Sequence, residues 1–333
     1  MQETGSAPVD TCVLSRPQDA LLCEMSLPYC KSFYPLGYSV EIATNDHRVI
    51  AAAEESFGHA KPSGRPMHLQ VRVGVTYQEG VVCPPEPMRR AFGRLFSLVA
   101  DGDNQALLDL EAGVSFTCVT QAVLKDELYF RTNFLEKVVY LLLGASVVTD
   151  LHAACVSRNG KGILLCGQSG AGKSTLAYAC ARAGWTYTSD DTTYLINDAA
   201  SPRVIGHSHR ARFRPAARVL FPELEGRAIV PRMEGKLSIE VPIVELPVKH
   251  TSAEADIHAA VFLERHSGSG CRLIRQPPGT VTNRMRRELY STGQIRARHE
   301  EILGVLWDIP AYELRYCHLQ DGIEALESLT LQL

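Results

Sequence analysis

Alternation of apolar and polar residues marks the first third of the chain. In MHLQVRVGV the residues Leu69, Val71, Val73 and Val75 recur every second position, which puts them on one face of a strand. GYSVEIAT at 37 to 44 repeats the pattern, and SFTCVTQAVLKDELYFRT at 115 to 132 predicts two strands folding back at Lys125 and Asp126. Between them GHAKPSGRP, residues 58 to 66, is a loop by its glycine and proline content. Short strands and hairpins predict a small antiparallel α+β domain over residues 1–130. The texture then changes. Asn133 followed by Glu136 has the spacing of a capping box and predicts an apolar helix ending at Gly144, the start of a second domain over 131–333.

From Leu151 the run LHAACVSRNGKGILLCG is two β-rich segments joined by Asn159-Gly160, a strong two-residue hairpin signal. STLAYACARAG then has helical spacing, stops at Gly184 and is followed by the strand-like WTYTSDDTTYLI. Between the second β segment and the helix stands Gly167-x-x-x-x-Gly172-Lys173-Ser174. A strand before and a helix after are the context in which this spacing makes a phosphate-binding loop. Glycines at 167, 170 and 172 let the main-chain N–H groups of the loop (Gly167, Gln168, Ser169, Gly170, Ala171, Gly172) and of Lys173, Ser174 and Thr175 turn toward phosphate oxygens. Lys173 would neutralise the terminal phosphates, and Ser174 would ligate Mg²⁺.

Asp190 and Asp191 lie sixteen and seventeen residues past Ser174. Neighbours on a regular strand face opposite ways, so both serve one site only at a strand end or bulge. There one can ligate metal and the other can take a proton. His152, fifteen residues before Gly167, is carried toward the loop by the hairpin. GHSHRARFRP is read as a strand along which His207 and His209, and then Arg212 and Arg214, take alternate positions, and Arg212 as a holder of the γ-phosphate or the acceptor. The His-x-His pair has no third metal ligand at meaningful spacing. Lys236 opens another alternating run, and Arg284 to Arg298 carries five arginines that form a solvated helix face or dock an acidic partner.

Composition narrows the classes. A chain of 333 residues with a net charge of -3 has no overall basic field, so neither nucleic acid nor an anionic membrane is expected as a partner. MQETGSAPVDTC lacks the features of a signal peptide, VVYLLLGASVV is too short to span a bilayer, and a cytoplasmic protein is expected. Ten cysteines without a C-x-x-C pair suit reduced, mostly buried thiols.

LHAACV, GQSGAGKS and TSDD together resemble the catalytic core of the HPr kinase/phosphorylase family, whose fold is shared with phosphoenolpyruvate carboxykinase. The close match spans residues 151 to 196. The resemblance implies an α/β P-loop kinase core, ATP and Mg²⁺ as cofactors, and transfer of a phosphoryl group to a hydroxyl. The acceptor would be a Ser of a protein or peptide; a small-molecule kinase and a non-catalytic ATP-binding sensor are the alternatives. It assigns Lys173 and Ser174 to phosphate and Mg²⁺, Asp190 to the base, Asp191 to the metal and His152 to orienting the base or phosphoryl group. The N-terminal domain would be regulatory or recognise substrate, and homo-oligomers are admitted. Thr175 stands where the HPr-specific kinases carry Glu, and RPAARVLFPELEGRAIVPRMEGKLSIEVP replaces their signature segment. HPr itself is therefore not the expected acceptor, and forward transfer is expected to dominate over phosphorolysis.

Overall fold

The computed structural model describes residues 25–77, 80, 82–231, 237–266, 268, 270–289, 291 and 293–333. The N-terminal dodecapeptide, Cys12, Cys23 and Lys236 lie outside the described residues. The architecture is mixed α/β, with a seven-stranded sheet, a ten-stranded sheet and a three-stranded one.

The first sheet holds β1 (Tyr29–Phe33), β2 (Ser39–Thr44), β3 (His68–Thr76), β4 (Met88–Phe92), β5 (Leu95–Val99), β6 (Gln105–Asp109) and β7 (Val114–Thr120), in the order β1-β2-β3-β7-β6-β5-β4. Leu69, Val71, Val73 and Val75 are buried, as their alternation predicts. The sheet is not purely antiparallel: β3 runs parallel to both β2 and β7. The reason is helix α1 (His47–Phe57), which carries the chain from β2 to β3, and a parallel neighbour needs such a crossover. Asp46 caps it by accepting from Arg48 N at 2.9 Å, and Val49, Ala52, Ala53 and Phe57 face the core.

The expected hairpin at Lys125 and Asp126 is also absent. Asp126 instead accepts from Tyr129 N at 3.0 Å and starts a helix. That helix runs through α2 (Glu127–Phe130), a π-helical turn over Arg131–Glu136 and α3 (Lys137–Ser146). Asn133 and Glu136 are therefore interior positions, not a capping box: the cap was taken two turns earlier, so Asn133 is buried and Glu136 accepts from Ser56 Oγ at 2.9 Å. The cluster formed by α1, α3 and the first sheet continues into Tyr194, Ile196 and Ile205 of the second.

The second sheet contains β8 (Val148–Leu151), β9 (Ala153–Arg158), β10 (Lys161–Cys166), β11 (Thr186–Ser189), β12 (Thr193–Ile196), β13 (Arg203–Gly206), β17 (His250–Thr251), β18 (Glu254–Arg265), β19 (Arg272–Arg275) and β20 (Ala311–Tyr316). β14 (Arg210–Phe213), β15 (Val230–Pro231) and β16 (Leu237–Pro242) make the small sheet. The helices are α4 (Lys173–Arg182), α5 (Thr280–Glu288), α6 (Gly293–Ile302) and α7 (Leu319–Gln332). Asn159 and Gly160, with φ of 52° and 78°, turn β9 into β10, with Arg158 opposite Lys161. Residues 162 to 166 are all buried because α4 and α7 pack on one face of the sheet and α5 on the other.

Three further expectations are corrected. GHSHRARFRP is not one strand: it breaks into β13, a turn over 207–209 and β14. His207 turns to the rings of Tyr140 and Tyr194, while Ala211 and Phe213 enter the core. Four of the five arginines of α5 and α6 bind neighbouring groups of the fold instead of forming a free basic face; Arg284 lies over the Phe262 ring and Arg287 is exposed. Arg298 donates to the carbonyls of Ala145 and Ser146, Arg296 to those of Leu289 and Arg286, and Arg286 to that of Glu300. Helix C-termini leave such carbonyls without partners, and guanidinium groups satisfy them. Of the described cysteines only Cys155, Cys166 and Cys180 are buried. No helix among the described residues is long and apolar enough to cross a membrane.

Candidate functional site

The loop from Gly167 to Gly172 joins the end of β10 to the start of α4. Gly170 and Gly172 have φ of 92° and 99°, which other residues adopt only with strain. Gly172 is constrained twice, since a Cβ there would lie 2.9 Å from the Tyr316 hydroxyl. It is the N-cap of α4 and provides no side chain to the first turn, which leaves the helix N-terminus without a side-chain cap.

Lys173, 5% exposed, folds back over the loop. Its Nζ donates to Gly167 O at 2.8 Å and lies 3.0 Å from His152 Nε2. Burial pulls its pKa below the ordinary lysine value, opposed chiefly by the charge of Asp191. Ser174 Oγ donates to the main-chain oxygen of Asp190 at 3.1 Å, and exposed Arg214 reaches Ser169 Oγ at 3.4 Å.

The acidic pair follows a strand end. β11 has a register shift after Tyr187 and stops at Ser189, which frees both aspartates from the alternation of the strand. Gly206 permits this: a Cβ there would stand 2.4 Å from Thr188 O. Asp190 is 7% exposed, and its Oδ2 accepts from Arg212 N at 2.7 Å. Burial raises its pKa to about 6 against the lowering effect of Arg212. Asp191 keeps a side chain 35% exposed, with Oδ1 3.7 Å from His152 Nδ1. His152, between β8 and β9, thus stands between Lys173 and Asp191.

Of the residues singled out in the sequence, His152, Lys173, Ser174, Asp190 and Asp191 gather at one place. Arg212 meets Asp190 through its backbone N–H, while its guanidinium lies in β14 with Nε 2.9 Å from Glu240 Oε1 of β16. His207 and His209 form no metal site. Among the described residues no group of three His, Cys, Asp or Glu side chains is arranged to hold a metal. Their rings pack instead, His209 stacked on His59 with centroids 3.4 Å apart and His207 edge-on to His209 at 5.8 Å. Sequence reading missed Glu240, Gly206 and Tyr316, because each acts through a neighbour far away in the chain.

No family model matches the chain, and no curated protein matches it. Among solved structures it is similar to the Hpr(Ser) kinase/phosphatase from Coxiella burnetii, at 11% identity over 55% of this chain and 93% of that one, with a TM-score of 0.31.

Proposed function

We propose that the protein is a kinase that moves the γ-phosphoryl group of ATP to a hydroxyl, that of a Ser on a protein or peptide. The observation that carries this reading is the chain of contacts from Gly167 O through Lys173 and His152 to Asp191, with Asp190 held alongside by the Arg212 N–H. A glycine loop ending in an uncapped helix N-terminus suits a triphosphate, whose oxygens accept from several main-chain N–H groups at once. Lys173 then trades its hydrogen bond to Gly167 O for phosphate oxygens. The negative ligand restores the charged amine that burial disfavours.

The donors beside the loop are oxygens, the Ser174 hydroxyl and the solvent-reached Asp191 carboxylate, and they suit a hard dication such as Mg²⁺. Held there, Mg²⁺ would draw charge from the phosphoryl oxygens. Asp190 accepts the proton of the attacking hydroxyl. With a pKa raised to about 6, it is ionised at neutral pH yet basic enough to take that proton. The Arg212 N–H fixes one carboxylate oxygen and leaves the other for the acceptor. His152 orients Asp191 and the phosphoryl group.

Calorimetry with MgATP on the wild type and Lys173→Ala tests the binding half. The variant is expected to bind at least ~30-fold more weakly with an unchanged circular dichroism spectrum; equal affinities would sink the reading. Incubation with γ-labelled ATP and a lysate of the organism that makes the protein tests the transfer half. A labelled protein band is expected, a labelled metabolite indicates a small-molecule acceptor, and no label indicates a sensor.

A further inference from the structure

β10, β18 and β20 run parallel, with Cys166 beside Phe262 and Arg265 beside Tyr316, so the ends of all three lie on one edge of the sheet. The antiparallel β9 and β19 bring their starts to the same edge, and β11 brings its end. Along that edge stand, in order, the acidic pair after β11, His152 before β9, the glycine loop after β10, Arg265 at the end of β18, Tyr316 at the end of β20 and Cys271 before β19. Ligands of open α/β sheets bind beyond the carboxyl ends of the strands. The proton-accepting and metal-binding side chains are all on the β9–β11 side of the loop. A triphosphate whose transferable end faces them must extend its other end toward β18, β20 and β19.

That side holds a groove of about 440 Å³ between β19, through Gly270, Cys271 and Leu273, and α7, through Asp321, Glu324, Ala325 and Ser328. Between its β19 wall and the loop stand Arg265 and Tyr316, at the ends of β18 and β20. A Cβ on Gly172 would be 3.4 Å from Arg265 Cδ, and one on Gly322 would be 3.2 Å from the Tyr316 ring and 3.3 Å from Leu176 of α4. Tyr316 itself is fully buried, and its hydroxyl, against the loop, has no hydrogen-bond partner among the described residues. Arg265 is exposed and has no carboxylate partner among the described residues. Charge is sorted along the edge: Lys173 and Arg265 suit phosphates, whereas Asp321 and Glu324 repel them and accept hydrogen bonds from sugar hydroxyls or an exocyclic amine. Three strand spacings of ~4.8 Å separate the loop from β19, ~14 Å in all, within reach of an extended nucleoside triphosphate.

We infer that the groove between β19 and α7, at its end nearest Asp321, is the nucleoside subsite of the phosphate donor, with Arg265 bridging it to the glycine loop. This rests on the kinase reading and adds to it where the base and sugar lie. Two ligands separate the two ideas: MgATP, and Mg-tripolyphosphate, which has the phosphates alone. The wild type is expected to bind MgATP at least tenfold more tightly than tripolyphosphate. Asp321→Asn with Glu324→Gln is expected to shrink that preference at least fivefold with tripolyphosphate binding unchanged, whereas Lys173→Ala weakens both ligands. Alkylation of Cys271 in the unmodified protein, followed peptide by peptide, gives a readout free of folding effects: MgATP slows it and tripolyphosphate does not, while Cys30 reacts at one rate throughout. A double variant with the wild-type preference, or Cys271 unprotected by MgATP, overturns the subsite alone and leaves the loop assignment intact. A wild type that binds neither ligand overturns both.

Discussion

The two large sheets bury polar side chains in different ways. In the first, the side-chain amides are closed by partners within the sheet and its turns, and what stays unmet among the described residues is neutral, the buried hydroxyls of Ser115 and Thr117. Asn45 exchanges two 2.8 Å bonds with the backbone of Val75, and Asn104 accepts from Thr120 N at 2.9 Å while donating to Asp101 at 2.9 Å. At the edge of the second sheet, buried Lys173 meets His152 and His152 meets Asp191, the last two about one third exposed, and Asp190 sits charged at a burial that raises its pKa. A buried polar group satisfied by its own neighbourhood supports the fold. A buried group still poised for an outside partner marks a site. The difference is in charge: among the described residues the first sheet leaves only neutral hydroxyls unmet, whereas the edge of the second holds ionisable groups at a burial that shifts their pKa values.

The sharpest way to break this contrast is at Asp190. Asp190→Asn keeps the bond from Arg212 N but cannot take a proton, so transfer is expected to fall ~10²-fold while MgATP affinity holds. Stability should move the other way. A carboxyl whose folded pKa is raised binds more protons folded than unfolded, so its contribution is fully present below the unfolded value and is lost as pH rises through about 6. At pH 7 the Asn variant should therefore melt several degrees higher, and in the wild type transfer should decline as pH drops through about 6. A variant with undiminished transfer removes Asp190 from the chemistry.

On the first sheet Asn104→Ala should show the reverse profile. It leaves the Thr120 N–H buried without an acceptor, at a cost of ~2 kcal/mol in denaturant unfolding, while MgATP affinity stays at the wild-type value. A comparable loss of affinity would join the two sheets energetically. A smaller effect, about tenfold, is expected at Asp191→Asn: a neutral amide is a poorer ligand for a hard dication, so half-maximal transfer needs more Mg²⁺. Rates against Mg²⁺ that superimpose on the wild type would exclude it as a ligand.

The smallest effect concerns the rings where the two sheets meet. Burial, reinforced by Arg210, Arg212 and the neighbouring rings, holds His207 well below the ordinary histidine value and His209 down to about 3; His59 is also lowered. Histidines that stay uncharged in the fold contribute stability above pH 6.5, and it is lost as pH falls, when the unfolded chain takes up protons that the fold refuses. Between pH 7 and 6 this amounts to ~0.7 kcal/mol for each fully depressed histidine. His209→Phe should flatten the acid limb of the melting curve by about that amount, and an unchanged limb would show that the ring titrates freely.

Local signals were legible in the residues alone. Asn159-Gly160 set a hairpin because both positions take positive φ, and the alternation from Leu69 to Val75 set a buried face because a strand has period two. The adjacency of Asp190 and Asp191 implied a strand end, and β11 ends one residue before them. Signals that depended on competition were misread. Asn133 with Glu136 has the spacing of a cap, but a helix takes the first adequate cap along the chain, and Asp126 precedes it. Arg284 to Arg298 looked like a free basic face because the carbonyls that Arg298 meets, those of Ala145 and Ser146, are some 150 residues away in sequence, and those that Arg286 and Arg296 meet belong to the other segment of a helix pair whose packing no local pattern shows.

The sequence by itself therefore determined the glycine loop with its flanking strand and helix, the hairpin before it and the chemical types at the site, since each is settled within a few residues by backbone freedom, capping and periodicity. Only the tertiary structure decided that β3 lies parallel between β2 and β7, that Arg212 meets Asp190 by its backbone, and that His152 stands between Lys173 and Asp191. Those facts depend on which strands become neighbours. Strand pairing gains its hydrogen bonds and burial from partners distant in the chain, against a closure entropy that no local pattern encodes.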